Sequence, residues 1–272
     1  MTPDRPLSFS QRLAAAVAFI AVFTLVLFIL TKLPLPVQVR SGNTAYGLAG
    51  IILAIILSII AYRWWRGGTE LVFKPDRQTV YRFLMGMIIG ASVALAIMWC
   101  IGRYAGIKIY RNPAFDAVAF GSGTIAIFLL AWAEELAFRG YPLASLRRGT
   151  GPWTSITIVT VCFILYQVVN GWAFQDALVG PGAWALLFSL TALRTGGIAQ
   201  STGMHFAGNL IQSLVGTTNF AFFSMSISAD PTLTVGDDIR RAGAWTQFAL
   251  LIISIVLVAR YVRQLNRQAV RK

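Results

Sequence analysis

Eight apolar stretches divide the chain, at 13–31, 45–62, 83–101, 114–133, 153–169, 180–193, 198–216 and 244–259, and short basic or Gly/Pro-containing breaks separate them. A spanning helix needs about 20 mostly apolar residues, and each stretch approaches that length, the sixth being the shortest. The pattern predicts an all-α, polytopic membrane helical bundle of about eight transmembrane helices, built as one integral membrane domain over 1–272. The first stretch reads as a retained helix, because it exceeds a signal-peptide apolar region of about 7–15 residues and Lys32, Pro34 and Pro36 follow it instead of small residues. The connection 217–243, with Asp230, Pro231, Asp237 and Asp238, is the expected extracytoplasmic loop; its paired aspartates beside Arg240 and Arg241 read as a solvated charge cluster.

Composition agrees with that pattern. Hydrophobic residues make up 57% of the chain and charged ones 12%, against roughly a quarter charged in soluble domains. Mean hydropathy is +0.68. The net charge of +13 does not point to nucleic acid, because Lys and Arg punctuate apolar runs of membrane length and form no continuous basic face. They read as anchors at a lipid surface. With the N-terminus inside, the cytoplasmic segments carry 16 Lys and Arg and the opposite side 7, so the positive-inside rule places both termini in the cytoplasm of a multi-pass plasma-membrane protein. Cys100 and Cys162 lie within apolar runs, which excludes a disulfide framework. His205 is the only histidine, and Glu70, Glu134 and Glu135 the only glutamates, so multi-histidine zinc sites are excluded by inventory.

Charged side chains within spans cost about 2.5–3.5 kcal/mol each and therefore ask for a reason. Glu134 and Glu135 stand side by side at the end of the fourth apolar run, and Arg139 follows Glu135 by one helical turn in the favourable order. Glu134 points about 100° away with no local cation. It is the carboxylate that desolvation burdens most, the setting of a general base. His205 and Asn209, four apart in the seventh run, project from one face and can both donate to one oxygen. Polar side chains at such positions also serve as interhelical glue. Gln167, polar within the fifth run, follows Phe163 by four, and the turn Gly149-Thr150-Gly151-Pro152 lies midway between Glu134 and Gln167, which places the two at similar depth if both helices run straight to it. His205 lies a few turns in from Arg194-Thr195-Gly196-Gly197, so three polar clusters are expected to converge in the cytoplasmic part of the bundle. Gly86-x-x-x-Gly90 fits a close helix crossing, within or between chains, and Ala91-x-x-x-Leu95 adds little.

In order along the chain, Glu134-Glu135-x-x-x-Arg139, Phe163-x-x-x-Gln167 and His205-x-x-x-Asn209 resemble the three motifs of the CAAX prenyl-protease and bacteriocin-processing family of intramembrane proteases, also called the Abi or CPBP family. The resemblance spans roughly 120–216, which makes about 114–216 a family-like core with the helices at 13–101 and 244–259 peripheral. It implies an endopeptidase that hydrolyses a peptide bond with a glutamate-activated water, its polar cavity open to the cytoplasmic side from which substrate approaches. Carried over residue by residue, Glu134 is the base, Glu135 and Arg139 hold the electrostatics, His205 and Asn209 stabilise the oxyanion, and Phe163 shapes the pocket. The partners it implies are membrane lipids and a peptide or protein substrate, lipidated or not. The family's second motif ends in a water-holding histidine, and Gln167 stands there instead. Glutamine holds a water but supplies no titrating imidazole or metal-binding nitrogen. No cofactor is firmly implied, since a divalent metal such as zinc would find only Glu134 and His205 as ligands. Two other readings stand beside the protease: a degenerate relative binding a peptide, lipid or partner protein, as in bacteriocin self-immunity, and a transporter, which the near absence of polar residues in the first three spans disfavours.

Overall fold

The computed structural model describes residues 7–32, 42–65, 76–105, 107–215, 221–227 and 235–270. Arg5, Arg40, Arg66, Glu70, Lys74, Asp230, Pro231, Arg271 and Lys272 lie outside them. The elements run α1 (Phe9–Lys32), α2 (Gly42–Trp65), α3 (Thr79–Ala105), β1 (Ile107–Arg111), α4 (Ala117–Glu135), a π-helical turn (Leu136–Gly140), α5 (Tyr141–Thr150), α6 (Pro152–Val169), α7 (Phe174–Val179), α8 (Pro181–Thr195), α9 (Ala199–Ser213), β2 (Phe223–Ile227) and α10 (Val235–Val270). The protein is a multi-pass membrane helical bundle. Among the described residues seven helices are long and apolar enough to cross a bilayer. The seventh apolar stretch yields only α9, 15 residues long, about 22 Å at 1.5 Å per residue.

Local sequence explains the boundaries. Asp116 caps α4, its Oδ1 accepting from the backbone N–H of Val118 at 2.8 Å and of Ala119 at 3.2 Å, which satisfies two orphan donors. Prolines 142, 152 and 181 sit in the first turns of α5, α6 and α8, where no N–H is needed. Gly196, at φ 70°, closes α8 in the left-handed region and turns the chain into α9. Within the connection expected at 217–243, β2 pairs antiparallel with β1, and Asp237 and Asp238 fall within the first turns of α10.

Small residues allow the inner crossing. A methyl group on Gly86 or Gly90 of α3 would overlap the carbonyl oxygens of Gln200 and Met204 in α9, and one on Gly203 would overlap that of Phe83. The glycine pair in the third span therefore serves a crossing within the chain, and it holds α9 backbone to backbone against α3. Gly47 and Gly50 do the same for α2 on α4, facing Leu129 and Ala133. Helices peripheral in sequence are thus not peripheral in packing. Phe23 of α1 meets the rings of Phe138 and Tyr166 at 6.2 and 6.3 Å, and buried Arg12 donates from Nη1 to the Ser145 carbonyl at 3.3 Å, tying the start of α1 to α5.

Candidate active site

The site begins where α4 stops being α-helical. Beyond Glu135 the chain makes one π turn, then breaks direction at Gly140, whose ψ is −117°. Wide turns of this kind recur at functional sites because they re-aim side chains. Arg139 Nη1 donates to Glu135 Oε1 at 3.1 Å, and neither side chain is exposed to solvent. A buried pair is stable only when further bonds satisfy it. Arg139 also donates from Nη2 to the Ala185 carbonyl at 3.3 Å and from Nε to Ser189 Oγ at 3.4 Å. Its guanidinium lies 4.6 Å from the Phe163 ring and 5.4 Å from that of Phe188, within cation–π range.

His205 enters from α9 between the two carboxylates. Its Nδ1 is 3.0 Å from Glu135 Oε1, and its Nε2 is 3.6 Å from Glu134 Oε2. The imidazole stacks on Phe188 at 4.7 Å and 21°. Glu134, which lacks a cation on its own helix, is met from α6 instead: the Tyr166 hydroxyl donates to its Oε1 at 3.0 Å. The two glutamates, one residue apart, thus reach the same ring because the ring is inserted between them.

These groups form the floor of a cavity of about 440 Å³. Glu134, Phe163, Gln167, His205 and Asn209 all line it, so the structure brings the three sequence motifs together. Glu135 and Arg139 lie behind the floor. The sequence reasoning passed over Tyr166, Phe188 and Ser189. For Tyr166 a signal existed, since a tyrosine hydroxyl inside an apolar span needs a hydrogen-bond partner; Phe188 and Ser189 are indistinguishable from ordinary packing without the fold. Trp184 Nε1 and Gln247 Oε1, both buried without a hydrogen-bond partner, belong to residues that line the same cavity.

Metal chemistry finds a poor donor set. Among the described residues no group of three or more His, Cys, Asp and Glu side chains is placed to hold an ion. Glu135 Oε1 already accepts from Arg139 and faces His205 Nδ1, which leaves Glu134 and His205 Nε2, fewer than the three protein ligands of a catalytic zinc.

The cavity extends away from the arginine-bearing turns. Trp172, Asp176, Gly180, Gln212, Gly243 and Gln247 rim it, and they belong to the end of the bundle where α6 and α9 finish and α8 and α10 begin. The turns bearing Arg147, Arg148 and Arg194 lie at the other end. The cavity lining thus reaches the end of the bundle opposite these arginines. Arg139, counted among the cytoplasmic loop charges, is 1% exposed inside the bundle; without it the Lys and Arg tally is 15 against 7.

Residues 117–211, which carry all three motifs, match the family profile described as type II CAAX prenyl endopeptidase, Rce1-like. The segment that carries the site thus matches the CAAX-protease family. The match supports, at the level of the family, a CAAX-type intramembrane protease acting on a peptide or protein substrate. The CAAX-protease span begins at the capped start of α4 and ends within α9, so it contains every group on the cavity floor while leaving out α1, α2, α3 and α10. No curated protein matches the chain.

Proposed function

We propose that this protein hydrolyses a peptide bond with a water activated by Glu134. The observation that carries the proposal is the setting of Glu134: 5% exposed, at the floor of a cavity, held by Tyr166 on one oxygen and facing His205 with the other. A water beside Glu134 gives it a proton and attacks the carbonyl carbon, and the proton passes to the departing nitrogen. Glu135 and Arg139 hold the ring of His205 through Nδ1, leaving Nε2 to face the cavity with Asn209. Nε2 of His205 and the side chain of Asn209, both lining the cavity, are the groups assigned to the oxyanion. Gln167 lines the water site in place of the family histidine. Trp184 and Gln247 offer an unused donor and acceptor, the complement of a peptide's C=O and N–H. No step passes through a metal.

The remaining 15-to-7 bias favours cytoplasmic termini. With that orientation the peptide enters from the extracytoplasmic face, and the cytoplasmic approach expected from the resemblance gives way. The test of hydrolysis compares wild type with Glu134→Gln in liposomes on a panel of prenylated and unmodified peptides, read by mass spectrometry. Product formed by wild type alone supports the reading; equal product from both removes it. A second reading, a binder that has lost cleavage, rests on Gln167. Gln167→His separates the two: faster cleavage means the rest of the site is competent, whereas peptide retention without product in either protein favours the binder.

A further inference from the structure

The cavity holds more polar groups than hydrolysis uses. Glu134, Gln167, His205 and Asn209 carry the reaction proposed above, while Trp184, Gln212 and Gln247 line the same space with no part in it. Their order is set by the helices. On α9, His205, Asn209 and Gln212 follow at steps of four and three and share one face, and the stretch from first to last rises about 10 Å. α8 runs back along this face. Phe188 stacks on His205 at 4.7 Å, Trp184 lies against Phe188 at 5.5 Å, and a methyl on Gly208 would stand 3.5 Å from the indole. Beyond Trp184, a methyl on Gly180 would come within 3.9 Å of Cδ of Gln247. The cavity is thus a slot that leads from the floor past Trp184 to Gln212 and Gln247. Two of its groups are unsatisfied. Trp184 is 7% exposed, and neither its Nε1 nor the buried Oε1 of Gln247 has a hydrogen-bond partner among the described residues. Leaving a desolvated donor and acceptor unpaired is costly, and a main chain, which presents one acceptor and one donor per residue, satisfies both.

We infer that this slot binds the main chain of an extended peptide segment, the indole N–H of Trp184 donating to a substrate C=O and the carboxamides of Gln212 and Gln247 accepting from substrate N–H groups. The inference rests on the hydrolytic reading, which makes the occupant a substrate. At roughly 3.4 Å per extended residue, the slot takes about three residues on one side of the scissile bond. Recognition through the main chain tolerates many side chains and demands an unfolded segment of that length. Gln212 and Gln247 lie beyond the matched residues 117–211, so the outer part of the slot is built by residues that the family match does not include.

The experiment uses the full chain carrying Glu134→Gln in detergent micelles and a pool of capped random decapeptides. Retained peptides are identified by mass spectrometry, and the tightest is remade with each amide in turn replaced by an ester, which deletes the N–H without adding bulk. Expected is saturable binding that one ester weakens roughly tenfold. Gln247→Met should weaken binding of the parent peptide by a similar factor and abolish that ester penalty, whereas Gln247→Glu, which keeps an acceptor, restores both. Trp184→Phe should weaken binding roughly fivefold. An ester penalty unchanged by Gln247→Met overturns the inference, as does a pool from which nothing is retained. The retained peptide given to the protein with Glu134 intact separates the two claims. Glu134-dependent product without coupling between the ester and Gln247 leaves hydrolysis standing and removes the slot, whereas coupling without product keeps the slot and removes hydrolysis.

Discussion

Replacing Arg139 with methionine keeps the bulk and removes the cation that lies behind the active-site floor. Glu135, with no exposed side-chain surface, would lose the cation one turn away and remain beside Glu134, with His205 and Ser201 still against it. Breaking one side of a buried pair costs about 3–5 kcal/mol, because the surviving charge stays desolvated. Removing both sides with apolar groups of similar volume costs far less. The expected order is therefore specific: Arg139→Met loses about 3–5 kcal/mol, and Glu135→Leu with Arg139→Met recovers most of that loss. Arg139→Lys should fall between, since an ammonium keeps the charge but lacks the planar fork that also reaches the Ala185 carbonyl and Ser189. The measurement is reversible unfolding in mixed micelles of dodecyl maltoside and rising dodecyl sulfate, followed by tryptophan fluorescence, with the double-mutant cycle giving the coupling. An Arg139→Met protein within about 1 kcal/mol of wild type would refute the reasoning. So would a double variant no more stable than the single.

Other outcomes follow from the same geometry. Gly90→Ala and Gly203→Ala force a methyl into a facing carbonyl oxygen and should each cost about 1–3 kcal/mol in that unfolding assay, whereas Gly102→Ala, with open space around it, should be neutral or stabilise by about 0.4–1 kcal/mol. Tyr166→Phe removes a charge-assisted bond to Glu134 worth about 1.5–3 kcal/mol and should lower stability by about that amount in the same unfolding assay, while any Glu134-dependent cleavage slows. In a protein with Cys100 and Cys162 replaced, a cysteine at Trp172 should react with a membrane-impermeant maleimide in intact cells, and one at Arg148 only after permeabilisation; the reverse pattern would return the cavity mouth to the cytoplasm.

The sequence by itself determined the membrane class and the positions of the helices, because apolar runs near 20 residues leave the backbone no other way to satisfy its hydrogen bonds in lipid. It also located Glu134, Glu135, Arg139, His205 and Asn209, since a charge within a span is too costly to be incidental, and the Glu135–Arg139 pair, because one helical turn separates them. Contacts between helices were beyond its reach. That Tyr166 reaches Glu134, that His205 stands between two carboxylates, and that Phe188 stacks on its ring depend on where α6, α8 and α9 cross, and a one-dimensional pattern carries no crossing angle. The end of the bundle toward which the cavity extends likewise depends on packing. Motif spacing gives the depth of a residue along its own helix, but a cavity is whatever space the neighbouring helices leave, here reaching the ends of α6 and α9 and the beginnings of α8 and α10.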